Sequence, residues 1–181
     1  MPSGVAAVDA PVRGSIPEAT DGRLHVYVRA DDEDFERVRA VLEVFGDAHR
    51  VGGPGAGAAM KLVVNTTLAA SIVAAGEALA LSHALGLDQR SVLDMLADSP
   101  IGPTVRAKRA NMEAGRYPPS FKLSIAAKDM RLAVDAADHA GTPLKTAETV
   151  RRWLDEAADH GPADLDFSAV VGTILGRPAR P

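Results

Sequence analysis

Cysteine is absent from the 181-residue chain, which excludes disulfides and thiolate metal sites. The five histidines, His25, His49, His83, His139 and His160, are scattered rather than spaced as ligands, so no metal is expected. Aromatic residues make up only 4% of the chain, too few for a typical β-sandwich core. Positive charge is not in excess either: 20 Lys and Arg stand against 24 Asp and Glu, a net charge of −4. Without a cationic surface to neutralise phosphate backbones, nucleic acid is not an expected partner. The opening "MPSGVAAVDAPVRG" lacks the basic start and apolar run of a secretory signal, and a cytoplasmic location is expected. An uninterrupted membrane-length apolar run is missing as well. The nearest approach, "LVVNTTLAASIVAAGEALAL", is broken by Asn65, Thr66, Thr67, Ser71 and Glu77, which are costly in lipid, so it reads as a buried helix and no membrane is expected.

What is present is a 46% hydrophobic content dominated by alanine, leucine and valine, a mixture suited to close-packed helices and sufficient for one full-sized domain or two small ones. The expected fold is mostly α. Two styles of sequence meet near Gly52. Before it, "LHVYV" (Leu24 to Val28) predicts a strand, "DDEDFERVRAVLEVFG" a helix with an acidic start and Gly46 after its end, and "HRVG" a second short strand. This β-α-β piece is too small to bury both faces of a sheet and looks like the end of a larger α/β domain. After Gly52, alanine-rich segments punctuated by "GLDQ", "SPIGP", "GRYPPS", "GTPL" and "HGPADLD" predict five or six helices. Asp88 caps one, Pro103 starts the next, Ser120 or Phe121 opens a long one through His139, and "KTAETVRRWLDEAADH" is amphipathic with Trp153 on its apolar side.

Between the two styles lies "GGPGAGAAMKLVVN". A dinucleotide fingerprint, Gly-x-Gly-x-x-Gly, finds Gly55 and Gly57 in the first two places but Met60 in the third, and no second strand leads to an acidic residue. A phosphate-binding Walker loop fails because Lys61 is not followed by Ser or Thr. Two readings remain on chemistry alone. The glycines make a tight turn with Lys61 exposed on the helix that follows, or they let a ligand approach while Lys61 and Asn65, at i and i+4, point at it together.

The segments "DAPVRGSIPEATDGRLHVYV", "GAGAAMKLVVN" and "FKLSIAAKDMRLA" followed by "GTPL", in this order and spacing, resemble the β-hydroxyacid dehydrogenases, the family of 3-hydroxyisobutyrate dehydrogenase and tartronate semialdehyde reductase. The resemblance runs from about Val5 to about Arg177. It implies a Rossmann domain holding NAD or NADP, an all-α domain joined through a long helix, and an active site between them. Residues 1–53 would be the short β-α-β remnant of the first domain, and residues 54–177 the whole of the second. Lys61 then corresponds to the catalytic lysine and Asn65 to the asparagine that holds substrate and lysine in place. The family's substrate-carboxylate loop falls on Arg13, Gly14 and Ser15, with Arg13 in the place of a serine and Ser15 in that of a glycine. Lys128 resembles a cofactor-contacting lysine, Asp129 its structural partner, and Phe121 a pocket residue. Without the resemblance, Phe121 reads as core and Lys128 with Asp129 as a surface pair.

The implied reaction needs hydride transfer to nicotinamide and removal of a hydroxyl proton. Partial burial and a cationic nicotinamide would both disfavour the ammonium form of Lys61, letting it serve as base in oxidation and acid in reduction. Arg13 could grip a substrate carboxylate with two hydrogen bonds, or fill the pocket and select a different acid; altered specificity is the favoured reading. No segment before Asp9 is long enough to supply the pyrophosphate-binding unit. Three readings follow: the catalytic half of a dehydrogenase whose nucleotide half has been left off, a helical dimerisation module without catalysis, or a split enzyme completed by a separate Rossmann-bearing chain. The expected partners are a small hydroxyacid and either a second copy or that separate chain, because apolar helix faces left uncovered favour self-association.

Overall fold

The computed structural model describes residues 8–53, 55–161 and 163–177. The chain divides into two compact units, Met1–Val64 and Asn65–Pro181. In the first, strands β1 (Val12–Arg13), β2 (Leu24–Val28) and β3 (Gly46–Arg50) form a sheet in that order, β1 antiparallel to β2 and β2 parallel to β3. Helix α1 (Ile16–Thr20) joins β1 to β2, and α2 (Asp32–Leu42) crosses from β2 to β3. Alternation along β2 buries Leu24, Val26 and Val28, and Val26 and Val28 pack with Phe35 and Leu42 of α2 and with Ala48. Asp31 caps α2 by accepting the Asp34 N–H at 2.9 Å, and the acidic first turn Asp32, Glu33, Asp34 suits the positive end of the helix.

Two local readings need correction here. Gly46 does not merely stop the helix: pairing with β2 has already begun at Phe45, whose carbonyl accepts the Leu24 N–H at 3.1 Å, so β3 starts at Gly46 and not at His49. Helix α1 was not foreseen at all.

Six helices follow among the described residues, as the punctuation of the sequence predicts: α3 (Ala56–Ala84), which begins in the first unit, then α4 (Gln89–Ala97), α5 (Gly102–Ala114), α6 (Leu123–His139), α7 (Lys145–His160) and α8 (Val170–Ile174), the last preceded by a 3₁₀ turn at Phe167–Ala169. Asp88 caps α4 through the Ser91 N–H at 2.9 Å. The second unit's core draws Ala69, Ile72, Val73 and Leu79 from α3, Leu123, Ala127 and Met130 from α6, and Val150 and Leu154 from α7. Helix α3 is long and apolar enough by length and composition to cross a membrane, yet its buried stripe is used by this core. It is not buried all round: Val63 and Leu81 stay more than half exposed. Trp153 sits at the margin of the core, where its indole N–H donates to Glu77 Oε1 at 3.0 Å.

Helix α6 opens at Leu123, two or three residues later than expected, because the Phe121 carbonyl that would start a turn instead accepts the Phe167 N–H at 2.7 Å, and Lys122 bridges to Asp166 in extended conformation. A carboxylate anchors the same segment. Ser120 and Phe121 both donate their backbone N–H to Asp166 Oδ2 at 3.2 Å. The same oxygen accepts from Lys108 Nζ at 2.8 Å and Ser120 Oγ at 2.7 Å, while Oδ1 accepts the Ser168 hydroxyl at 2.6 Å and its N–H at 3.1 Å. Asp166 has no solvent exposure, and burial alone would raise its carboxyl; the hydrogen bonds from Lys108, Ser168 and Ser120 outweigh that and hold it below the ordinary carboxylate value.

Removing one partner of a buried ion pair strands the other, so Asp166→Ala is expected to cost about 3 kcal/mol or more. The pH dependence has a defined sign. The folded carboxyl takes up its proton only at a lower pH than the unfolded one, so its stabilisation is complete above about pH 4 and is lost as pH falls through the lower folded value. In Asp166→Asn that part of the acid limb disappears, which urea denaturation across the acid range will show.

Candidate functional site

In the first unit, β1 carries Arg13 on the surface. Gly14 follows at φ +134°, and a Cβ there would meet Leu24 Cδ2 at 2.5 Å, so only glycine fits this bend comfortably. Ser15 then caps α1: its N–H and hydroxyl donate to Glu18 Oε2 at 2.8 and 2.9 Å. These bonds, the N–H first, hold the Glu18 carboxyl below its usual value. The Ser15 hydroxyl proton is thereby directed at Glu18 within the fold.

The glycine stretch resolves at Gly57, on the first turn of α3. A Cβ at this position would meet the Tyr27 carbonyl oxygen at 2.7 Å, Pro11 Cδ at 2.9 Å and Asp9 Oδ2 at 3.2 Å. The protein's own backbone fills the space that a pyrophosphate would need at this residue, so the stretch is a seat for the helix rather than a phosphate cradle. One turn beyond the seat is Lys61, which is half-buried, and among the described residues no carboxylate pairs with it.

In the second unit, Asn65, Phe121, Lys128 and Asp129 come together. Asn65 Nδ2 donates to Asp129 Oδ2 at 2.9 Å, and Lys128 Nζ lies 3.0 Å from Asp129 Oδ1. The Asp129 side chain is 6% exposed and that of Lys128 60%. Asn65, Asp129 and Phe121 line one recess with Phe167, whose ring lies 5.4 Å from that of Phe121. Because a carboxylate accepts and does not donate, the Asn65 amide turns its NH₂ toward Asp129, which leaves its oxygen as the hydrogen-bond acceptor of the side chain. Lys128 is the residue here that could reach an anionic or amide group of a cofactor without leaving Asp129.

Lys61 and Asn65 occupy i and i+4 of one continuous helix and so project from the same side. No hydrogen bond or ion pair among the described residues ties Lys61 to Arg13 or Ser15. Sequence reasoning missed the Lys108–Asp166 pair that fixes the Phe121 segment. Its local signal, an aspartate two residues before Ser168 at a helix start, marks a cap but not the partners 45 to 58 residues away.

Residues 55–174 match the family described as NAD-binding of NADP-dependent 3-hydroxyisobutyrate dehydrogenase, and residues 2–53 the NAD binding domain of 6-phosphogluconate dehydrogenase. Over 92% of its length the chain is 34% identical to glyoxylate/succinic semialdehyde reductase 1 of Arabidopsis thaliana, covering 58% of that protein. It superposes on 3-hydroxyisobutyrate dehydrogenase from Salmonella typhimurium with a TM-score of 0.82 at 28% identity, covering 92% of this chain and 59% of the other. The Mycobacterium tuberculosis 3-hydroxyisobutyrate dehydrogenase, solved with L-serine, gives a TM-score of 0.78 at 30% identity, with 92% and 60% covered. The chain thus spans about three fifths of the length of these relatives.

Replacing Gly57 with Ala sets two effects against each other. Helix propensity would gain about 1 kcal/mol, whereas the new methyl would push against backbone and ring atoms under 3.0 Å away, an overpacking that costs about 1–3 kcal/mol. The expected outcome is a net loss of stability in chemical denaturation, opposite in sign to an ordinary helical Gly→Ala change.

Proposed function

The chain belongs to the β-hydroxyacid dehydrogenase family of NAD(P)-dependent oxidoreductases, and on that premise we propose that it is the catalytic and substrate-binding part of an enzyme moving a hydride between NAD or NADP and a small 3-hydroxyacid. In this reading residues 1–53 complete the nucleotide domain and residues 54–177 form the helical dehydrogenase domain. The observation that carries the proposal is the hydrogen bond from Asn65 to Asp129, which commits the amide NH₂ and leaves the amide oxygen as an acceptor, four residues along helix α3 from Lys61. That oxygen can accept from the Lys61 amine or from a substrate hydroxyl and align the two.

When bound, the nicotinamide accepts or returns the hydride. The proton is the chain's business. In oxidation the Lys61 amine takes the hydroxyl proton as the carbonyl forms, and in reduction the Lys61 ammonium gives it back to the carbonyl oxygen. Arg13, the Gly14 backbone and Ser15 would hold the substrate carboxylate, with Arg13 able to make a bidentate pair. Phe121 would wall the pocket, and Lys128, steadied by Asp129, would contact the cofactor. L-serine, present with the Mycobacterium tuberculosis relative, is itself a short acid with a hydroxyl on its third carbon, which supports the substrate class. The reading describes a soluble cytoplasmic protein that binds neither nucleic acid nor membrane and works as a homo-oligomer or beside a separate Rossmann-bearing chain.

Hydride transfer should be followed by nicotinamide absorbance for the chain alone and with a nucleotide-binding polypeptide supplied in trans, against a panel of short hydroxyacids. Lys61→Ala is expected to lower kcat at least about a hundredfold; turnover equal to the parent would end the acid/base role. Arg13→Ser is expected to reorder kcat/KM across the panel. An unchanged order removes Arg13 from the substrate site.

A further inference from the structure

Histidines that lie far apart in sequence are not all scattered in space. On β2 and β3, His25 is in register with Asp47 and Tyr27 with His49, so His25, Asp47 and His49 emerge on one face of the sheet, opposite the residues that pack on α2. The His25 and His49 rings stack with centroids 5.8 Å apart and an interplanar angle of 18°. His49 Nε2 lies 3.0 Å from Asp47 Oδ2. One donor atom from each residue falls within 4.8 Å of the others, and all three side chains reach solvent.

We propose that His25, Asp47 and His49 form a binding site for a borderline divalent transition cation such as Zn²⁺, separate from the dehydrogenase residues and independent of that reading. Two imidazoles and a carboxylate are a donor set that zinc accepts, with remaining positions open to water. The zinc–nitrogen and zinc–oxygen bonds of about 2.0–2.2 Å require the donors to close to about 3.3 Å from one another. Rotation of exposed side chains about χ1 and χ2 achieves this, while the backbone positions are fixed by the β2–β3 ladder. Hard cations are disfavoured, because only one of the three donors is oxygen. The consequence is mechanical. Strand β3 is the edge of the sheet, held among the described strands by β2 alone, and it leads directly into the glycine stretch that seats α3. A cation bridging His25 to Asp47 and His49 would clip this edge strand to its neighbour.

Untagged full chain, freed of metal with a chelator and dialysed, should be titrated with zinc chloride in a calorimeter, with magnesium chloride as the comparison. One equivalent of zinc and no magnesium binding is expected. His25→Ala and His49→Ala should each weaken zinc binding at least about tenfold, with far-UV circular dichroism unchanged. Zinc should also raise the Tm of the parent and not of the His25→Ala/His49→Ala double variant. The proposal is overturned if the parent binds no zinc, or if binding survives in the double variant, which would move it to His83, His139 or His160.

Discussion

Asp166 has no solvent contact, and a buried carboxylate is tolerable only where donors replace the water it has lost. Lys108, Ser120, Phe121 and Ser168 provide those donors, and by doing so they bind the segment before α6 to the 3₁₀ turn that follows α7. Helix α6 follows at Leu123, whose own N–H is held by the Leu165 carbonyl at 2.8 Å. Rotation about its axis matters downstream, because neighbouring residues stand about 100° apart around a helix. Entering from this anchored segment, α6 presents Asp129 to Asn65. The Asn65–Asp129 bond thus shares a helix with an ion pair that touches no part of the recess except Phe121 and Phe167.

The two aspartates divide the work of the second unit differently. Asp166 spends both oxygens inside the fold, on donors from three separate elements, and its role is rigidity. Asp129 gives one oxygen to Asn65, which is held, and one to Lys128, whose side chain is mostly in solvent. An ion pair whose cation lies mostly in solvent is screened at that end and holds its lysine only loosely. Its value is directional: it keeps a cation beside the recess while leaving it free to exchange partners. The fixed bond to Asn65 and the loose one to Lys128 suit, respectively, a residue that must align a reacting group and one that must meet a diffusing molecule.

How much of this could be read in the sequence followed from the range of each interaction. The cap at Asp88, the acidic entry to α2 and the alternation of Leu24 to Val28 depend on neighbours within four residues, and they were legible. The start of α6 was not, since the Phe167 N–H that takes the Phe121 carbonyl, and the Asp166 that bridges to Lys122, lie more than forty residues on. Ser15 shows a different limit. The pattern Ser-x-x-Glu at residues 15 to 18 marks a capping box, and the structure forms its bonds to Glu18, whereas a place in a substrate loop rests on the resemblance alone. Asn65 stood out already by its spacing from Lys61, and Lys128 and Phe121 came from the resemblance, while the Asp129 carboxylate that joins Asn65 to Lys128 is what the structure makes central. The stacking of His25 on His49 needed the strand register, which periodicity alone does not fix.

A glycine in a helix start has two uses that sequence cannot separate: it admits a ligand to the backbone, or it admits another stretch of the same chain. At Gly57 the Tyr27 carbonyl and the Pro11 ring occupy the position of the missing side chain, which decides for the second use. The same contact answers a mechanical question. Tyr27 belongs to β2, and Pro11 immediately precedes β1 and Arg13, so the first turn of α3 is pressed against both ends of the Arg13 hairpin. A lysine carried one turn further along a helix seated in this way is positioned by a strand and a helix rather than by a loop, and groups held on such elements keep their place more closely than loop residues do. Gly57 is thus explained by the need to bring two backbones together, while Gly52 and Gly55 turn the chain at positive φ, and the constraint at Gly57 falls on where Lys61 stands instead of on what that residue binds.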